Sequence, residues 1–441
     1  MNNLFNENQW FGEFFVPNHY DKRFSGKVDY SPEEGLHLTY NLPKGHCFPV
    51  SDILHGNLLS HEKVTLFGKF AFTKNQPMRI PESVPWSGQD FFLFFIIGDF
   101  INSDEFLTET NFTLTNMQEF FSPKALKDMV KYSKQPLFEV NTDFGKISLI
   151  NKGTFGFLPS DVASLFSNNN EDALKALESA FKEVTKKYSP SQFLVKKDIE
   201  YRMSIQFNSG ILINDLYTYI RDISDLFALL MYKPVYPDEI LVSKGNNDTS
   251  QKNLFVYLSL RLSKRTISIC TDENDWSSMP ITAEKINLPL VIANWLKTAH
   301  DFWTFLVGFQ HGTGLKDINL LSGDLLLFIS QLEFISFNER IKTDKYKYPI
   351  EKYGCPKIAD KLKGIFQRYG EEDIGKGISQ IRGEIAHVGK PKELMDKIPI
   401  ETIMDISYCL QMIILGYILE KIGIPTNLIV RYQEKYTNYV Q

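Results

Sequence analysis

Cysteine is scarce and scattered. Cys47, Cys270, Cys355 and Cys409 are the only four in 441 residues, and no two form a CxxC pair. That pattern argues against a disulfide framework and against a structural zinc site, and it fits a reducing cytoplasm. An uninterrupted apolar run of about 18 residues is also missing, so neither a transmembrane helix nor a membrane partner is expected. Residues 91–97 are strongly apolar but far too short to span a bilayer. The opening MNNLFNENQW has no basic stretch ahead of an apolar core and does not read as a signal peptide. There is no global excess of positive charge. The 48 Lys and Arg meet 53 Asp and Glu for a net −5, which disfavours coating by nucleic acid through bulk electrostatics. Gly312-Thr313-Gly314 and Gly375-Lys376-Gly377 neither follow a strand nor complete a Walker spacing, and both read as helix breaks. Internal repeats, low-complexity linkers and a paired-carboxylate site for nucleotidyl transfer are likewise not found.

What is abundant is apolar and aromatic surface. Hydrophobic residues make up 43% and aromatic residues 14%, with 35 Phe and 20 Tyr, so generous burial is expected. The length exceeds what one compact core accommodates and implies two or three domains. Strand-like runs of aromatic and β-branched residues occupy 26–30, 35–42, 63–72 and 91–98, separated by turn chemistry at 31–35, 41–45 and 74–77. Helical spacing then appears at 123–132, at 171–187 (Leu174, Leu177, Ala180, Phe181, Val184) and at 214–231 (Leu216, Ile220, Ile223, Leu226, Phe227, Leu230). Residues 200–207, 254–262 and 266–270 return to strand character. From Leu288 onward the period is helical, over 288–309, 324–342, 357–369, 374–388 and 400–422. Gly389 with Pro391 closes the fourth of these segments, and Gly423 with Pro425 the fifth. The expectation is an α+β chain: a β-rich region over 1–285 with a few helices, then an all-α bundle over 286–441. Trp295 and Trp303, eight residues apart, read as one helical face used for core or dimer packing.

Charge is unevenly spread. Between Arg340 and Lys397, 14 Lys and Arg stand against 9 Asp and Glu, a local +5 that leaves −10 for the rest. A confined phosphate site on an acidic protein has this distribution, as does a solvated helix face. Within the stretch lies Ile381-Arg382-Gly383-Glu384-Ile385-Ala386-His387. RNA cleavage by 2′-OH attack needs a group that moves protons and a group that steadies negative charge on phosphate. His387 suits the first role and the planar fork of Arg382 the second. Five helical steps set them about 140° apart around the axis. One copy is therefore incomplete unless the last turn loosens or a second copy supplies another pair. The same spacing also fits a surface arginine and a histidine that merely ends a helix. Glu333 is a candidate to orient either residue, and Lys390 and Lys392 could hold RNA backbone or cap the helix.

Further stretches carry a family resemblance over nearly the whole length. They are Phe11-Gly12-Glu13-Phe14-Phe15-Val16-Pro17 followed by Gly26-Lys27-Val28, Ile53-Leu54-His55-Gly56 with Lys63-Val64-Thr65-Leu66, and Leu114-Thr115-Asn116-Met117-Gln118-Glu119-Phe120. Toward the C-terminus they are Ala293-Asn294-Trp295-Leu296 and Ser330-Gln331-Leu332-Glu333. In this order they resemble the ApeA-type HEPN proteins of bacterial anti-phage defence, in which an ApeA N-terminal domain precedes a HEPN domain. The HEPN motif is Arg-x(4–6)-His before the last helix, which here falls on Arg382 and His387. The family commonly has a polar residue, often Asn, after the arginine. Here Gly383 stands in that place, with Glu384 next as a substitute.

The resemblance implies a metal-independent, cofactor-free endoribonuclease of abortive infection. It would act on cellular or phage RNA, with transfer RNA one candidate, and assemble as a homodimer or larger homo-oligomer through its HEPN domains. A phage-derived trigger would act at the N-terminal region. The alternative is a non-catalytic HEPN module for dimerisation or nucleotide binding, with a ligand- or phage-protein-binding N-terminal region. Gly383 is the feature that favours it.

Overall fold

The computed structural model describes residues 3–42, 48–72, 86–122, 132–157, 170–188, 194–244, 253–272, 278–306, 321–387 and 392–437. Strands β1 (Asn8–Phe15), β2 (Phe24–Ser31), β3 (Gly35–Leu42), β4 (Ser51–Leu58), β5 (Lys63–Phe70) and β6 (Trp86–Ile97) form an antiparallel ribbon in the order β3-β2-β1-β4-β5-β6. It closes into a six-stranded barrel because β6 returns to β3, from Leu36 opposite Phe92 to Leu42 opposite Trp86. The period-two alternation of strands sets the filling. On β3, Leu36, Leu38, Tyr40 and Leu42 are all buried, while on β6 Phe92 is buried between exposed Phe91 and Leu93. Phe24 packs edge-to-face against Tyr40 and Phe72 and tilted against Phe14 in the interior. Gly56 makes room for them, since a Cβ there would lie 2.5 Å from Cδ1 of Phe14.

The far half of β6 has a second duty. Its residues Phe94 to Ile97 pair with β12 (Leu254–Leu258), which continues the sheet through β11 (Pro237–Lys244), β7 (Leu107–Leu114), β10 (Leu194–Ile211), β9 (Gly145–Phe157) and β8 (Phe138–Asn141). Among the described residues, short helix α1 (Met117–Phe121) follows β7, and α2 (Glu171–Lys187) lies between β9 and β10. Helix α2 has the predicted limits, capped by Asn170, but buries none of its side chains. Helix α3 (Ile213–Met231) is the opposite case, with Ile213, Leu216, Ile220 and Ile223 buried together with every residue over 226–231. The stretch predicted as a strand at 266–270 is instead helix α4 (Lys264–Thr271). Ser263 caps it by accepting from the Thr266 amide, which overrides the β-branched composition. The helix expected at 123–132 lies almost wholly outside the described residues.

Helices dominate from α5 (Leu288–Thr298) onward, as α6 (Leu321–Asn338), α7 (Lys347–Tyr353), α8 (Pro356–Arg368), α9 (Ile374–Ala386), α10 (Ile400–Lys421) and α11 (Thr426–Thr437). The architecture is thus a β-rich region containing a barrel, followed by a helical region. Helix α10 is its centre, with α6, α7, α8 and α11 against it. By length and composition α10 could cross a membrane, yet 78% of its most apolar stretch is buried in the bundle. Counting uninterrupted apolar residues overlooked it, because Asp405, Ser407 and Gln411 punctuate the run. Gly375 and Gly377 lie inside the first turns of α9 and break nothing. Trp295 and Trp303 do not share a helical face. A 3-10 turn (Ala299–Phe302) intervenes, so Trp295 is buried and donates to the Asp222 carbonyl at 2.6 Å, while Trp303 is exposed beneath Arg221.

The seam between the regions is apolar and continuous, with one hydrophobic cluster running through both. Helix α11 bolts it. The Tyr432 hydroxyl donates to the Leu229 carbonyl of α3 at 2.6 Å, and Lys435 and Tyr436 both donate to the Ser278 carbonyl. On its other face the buried Gln433 accepts from the Cys355 amide at 2.8 Å and donates to the Tyr353 and Met412 carbonyls. Replacing Gln433 by Ala strands these three backbone groups and opens a cavity. The expected loss is about 2–4 kcal/mol, read as a lower denaturation midpoint for the helical region.

Candidate functional site

Helix α9 begins at Asp373, whose carboxylate accepts from the Lys376 amide at 2.8 Å. Ile374, Ile378 and Ile381 bury one stripe, and Gly377 lets the helix approach Phe366 of α8, where a Cβ would come within 2.4 Å of the ring. Burial of Ile381 turns the next residue, Arg382, toward the surface, with 40% of its side chain exposed. Its Nε lies 3.2 Å from Oε1 of Glu333 on α6. Among the described residues the terminal Nη groups carry no hydrogen bond.

The same Glu333 oxygen takes two more donors. Lys345 Nζ reaches it at 2.8 Å and the Tyr346 hydroxyl also donates to it. The chain folds back onto α6 to place them. Arg340 and Asp344 adopt left-handed backbone angles, the Ile341 amide donates to the Ser336 carbonyl, and the Ser336 hydroxyl donates to the Lys345 carbonyl at 2.6 Å. Burial alone would raise the Glu333 carboxyl. The hydrogen bonds from Lys345 and Tyr346, joined by the charges of Lys345 and Arg382, outweigh it and hold the group below the ordinary carboxylate range. Just past the C-terminal end of α6, Glu339 is held at about 2, chiefly by the Lys421 ammonium and also by Lys352.

His387 is the first residue past the helix. Its amide closes the last turn on the Gly383 carbonyl, and its backbone is then extended at φ −116°, ψ 95°. The imidazole is exposed. The helical projection of about 140° therefore ceases to apply at the histidine itself. Among the described residues no hydrogen bond or ion pair joins it to Arg382. Glu384 faces inward. Its carboxylate accepts from the amides of Leu394 and Met395 and from Gln380, and these contacts outweigh burial to keep its carboxyl low. Glu384 thereby anchors the chain after the motif. Lys392 is exposed, and Lys390 lies outside the described residues. The structure thus joins Glu333 to Arg382 and leaves Glu384 and His387 apart from that pair. Lys345 and Tyr346 escaped sequence reasoning, although a lysine-rich loop directly after the Glu-bearing helix was the available signal.

A barrel-bearing β-rich region followed by a helical region with a surface Arg-Glu-Lys cluster defines the class of this chain. Residues 9–295 match the family model described as ApeA N-terminal domain 1, and the chain belongs to that family. The match begins in β1 and ends within α5. The comparisons identify no HEPN domain. No curated protein and no solved structure matches the chain.

Two outcomes follow for the site. A Cβ at Gly383 would meet nothing within 4 Å, so Gly383→Ala should fit and stabilise helix α9 by about 0.5–1 kcal/mol, seen as a higher melting temperature. Glu339 titrates near 4.5 when unfolded and about 2 when folded, so its contribution is complete above pH 4.5 and lost as pH falls toward 2. Glu339→Gln should flatten that acid limb in a series of melting temperatures against pH.

Proposed function

We propose that this protein is an anti-phage defence ribonuclease of HEPN type, with Arg382 and His387 as its reacting pair. The observation that carries the reading is the state of Arg382: held at Nε by Glu333, half exposed, its Nη groups without partners among the described residues. A guanidinium so held is aimed before substrate arrives, which is what stabilisation of a developing phosphorane charge requires. His387, exposed at the helix end, takes the 2′-OH proton. The O2′–P bond forms, the P–O5′ bond breaks, and the products are a 2′,3′-cyclic phosphate and a 5′-OH end. The leaving oxygen needs a proton in turn. A second copy of the chain supplies it, and this divides acid and base work between two His387 side chains. Phe337, 80% exposed and one turn along α6 from Glu333, gives such a second copy an apolar contact beside the site. Lys390 and Lys392 then steady the RNA backbone, and the barrel-bearing region receives the phage-derived trigger.

The Glu333–Arg382 ion pair also favours a second reading, in which the arginine is structural and the helical region only dimerises or binds a nucleotide. Cleavage separates the two. Purified protein in EDTA should cut RNA and leave cyclic-phosphate ends. His387→Ala should lower the rate at least 100-fold, the usual contribution of a general acid–base group, and Arg382→Ala should do likewise. Equal cleavage by wild type and both variants would sink the assignment.

A further inference from the structure

We propose that Lys345 is the second cation of a two-point phosphate clamp, with Glu333 as the template that sets its distance from Arg382. The proposal rests on the ribonuclease reading for the identity of the ligand, RNA, but its geometry stands by itself. Lys345 Nζ lies 2.8 Å and Arg382 Nε 3.2 Å from one and the same carboxylate oxygen. The two nitrogens are therefore no more than about 6 Å apart. The single Nε hydrogen is taken by Glu333, so the Nη groups, about 2.3 Å further on, and the Lys345 ammonium are the donors that two oxygens of one phosphate would bridge, each accepting a charge-assisted bond of about 2.8 Å.

The charges favour the same ligand. Two cations share one carboxylate, so the cluster carries a net +1. The carboxylate is the most enclosed of the three side chains, 26% exposed against 40% for Arg382 and 51% for Lys345. An approaching anion meets the cations first. After its bonds to Glu333 and to the Tyr346 hydroxyl the ammonium keeps one donor, and the guanidinium keeps its Nη groups. Lys345 is also restrained as a free surface lysine would not be. Its carbonyl is tied to Ser336 and its ammonium lies 4.9 Å from the centre of the Tyr346 ring. A lysine present only for its ion pair would contribute little to stability and nothing to RNA affinity.

The test uses the full chain carrying His387→Ala, so that RNA survives titration. Binding of a fluorescein-labelled single-stranded RNA oligonucleotide is measured over a series of KCl concentrations, with and without Lys345→Met or Lys345→Arg. Lys345 is half exposed, so the variants should fold, and melting curves check this. Lys345→Met should weaken binding about 10-fold and reduce the slope of log K against log salt by about 0.7, the loss of one phosphate contact on a single strand. Lys345→Arg should restore most of both. Unchanged affinity and slope in Lys345→Met overturn the clamp. RNA cleavage by the wild-type chain alongside that result leaves the ribonuclease reading standing. Conversely, lost binding in Lys345→Met, for a chain that never cleaves, removes the ribonuclease reading and keeps the clamp.

Discussion

Burial of helix α3 is the constraint on which the rest of the molecule depends. An amphipathic helix needs one covered face, but α3 buries every one of its last six residues and must be covered on all sides there. The extended sheet covers one side through contacts with β7, and helix α1 adds Phe120 against Phe227. Helix α5 covers another, with Trp295 donating to α3, and the C-terminal helix α11 a third through Tyr432. The barrel reaches this arrangement only because β6 is long enough to close one sheet with its first half and begin the next with its second. The hydrophobic demand of one helix thus locks the β-rich region to the helical one.

The surface of the helical region follows a different logic. Two carboxylates, Glu333 on α6 and Glu339 just past its C-terminal end, each gather cations from other elements. At Glu339 the partners are Lys352 and Lys421, which join α7 and α10 to α6 and lie over Tyr348, Tyr353 and Tyr417. That arrangement tightens the bundle. At Glu333 the carboxylate itself is less enclosed, 26% exposed against 17% for Glu339, and one partner is the motif arginine. Similar chemistry therefore serves packing at Glu339 and holds the motif arginine at the surface at Glu333. The difference is set by how much neighbouring structure covers the carboxylate.

Much of the fold was legible in the residues. Strand β3 and helix α2 appear at their predicted limits, because turn residues bound the one and Asn170 caps the other. The stretches 53–56 and 63–66, which carry part of the family resemblance, lie side by side in β4 and β5. Strands β7, β8, β9 and β11 were not recognised. Several of their residues are polar and face partners across the sheet, so alternation is obscured. Helices α7 and α11 were also missed. Helix α7 has only seven residues, too few for a helical period, and α11 follows the Gly423 and Pro425 that read as the end of the bundle, so α10 is not the last helix.

By itself the sequence determined the order of a β-rich region and a helical one, the presence of Arg382 and His387 near a helix end, and the basic character around them. These depend on local periodicity, capping and composition, which neighbouring residues settle among themselves. The tertiary structure alone decided that β6 would close a barrel, that Glu384 would turn inward to hold backbone, and that Lys345 and Arg382 would meet on one oxygen of Glu333. Contacts of that kind join residues 10 to 56 positions apart, and their geometry is set by how strands close, helices pack and loops reverse, which no local pattern encodes.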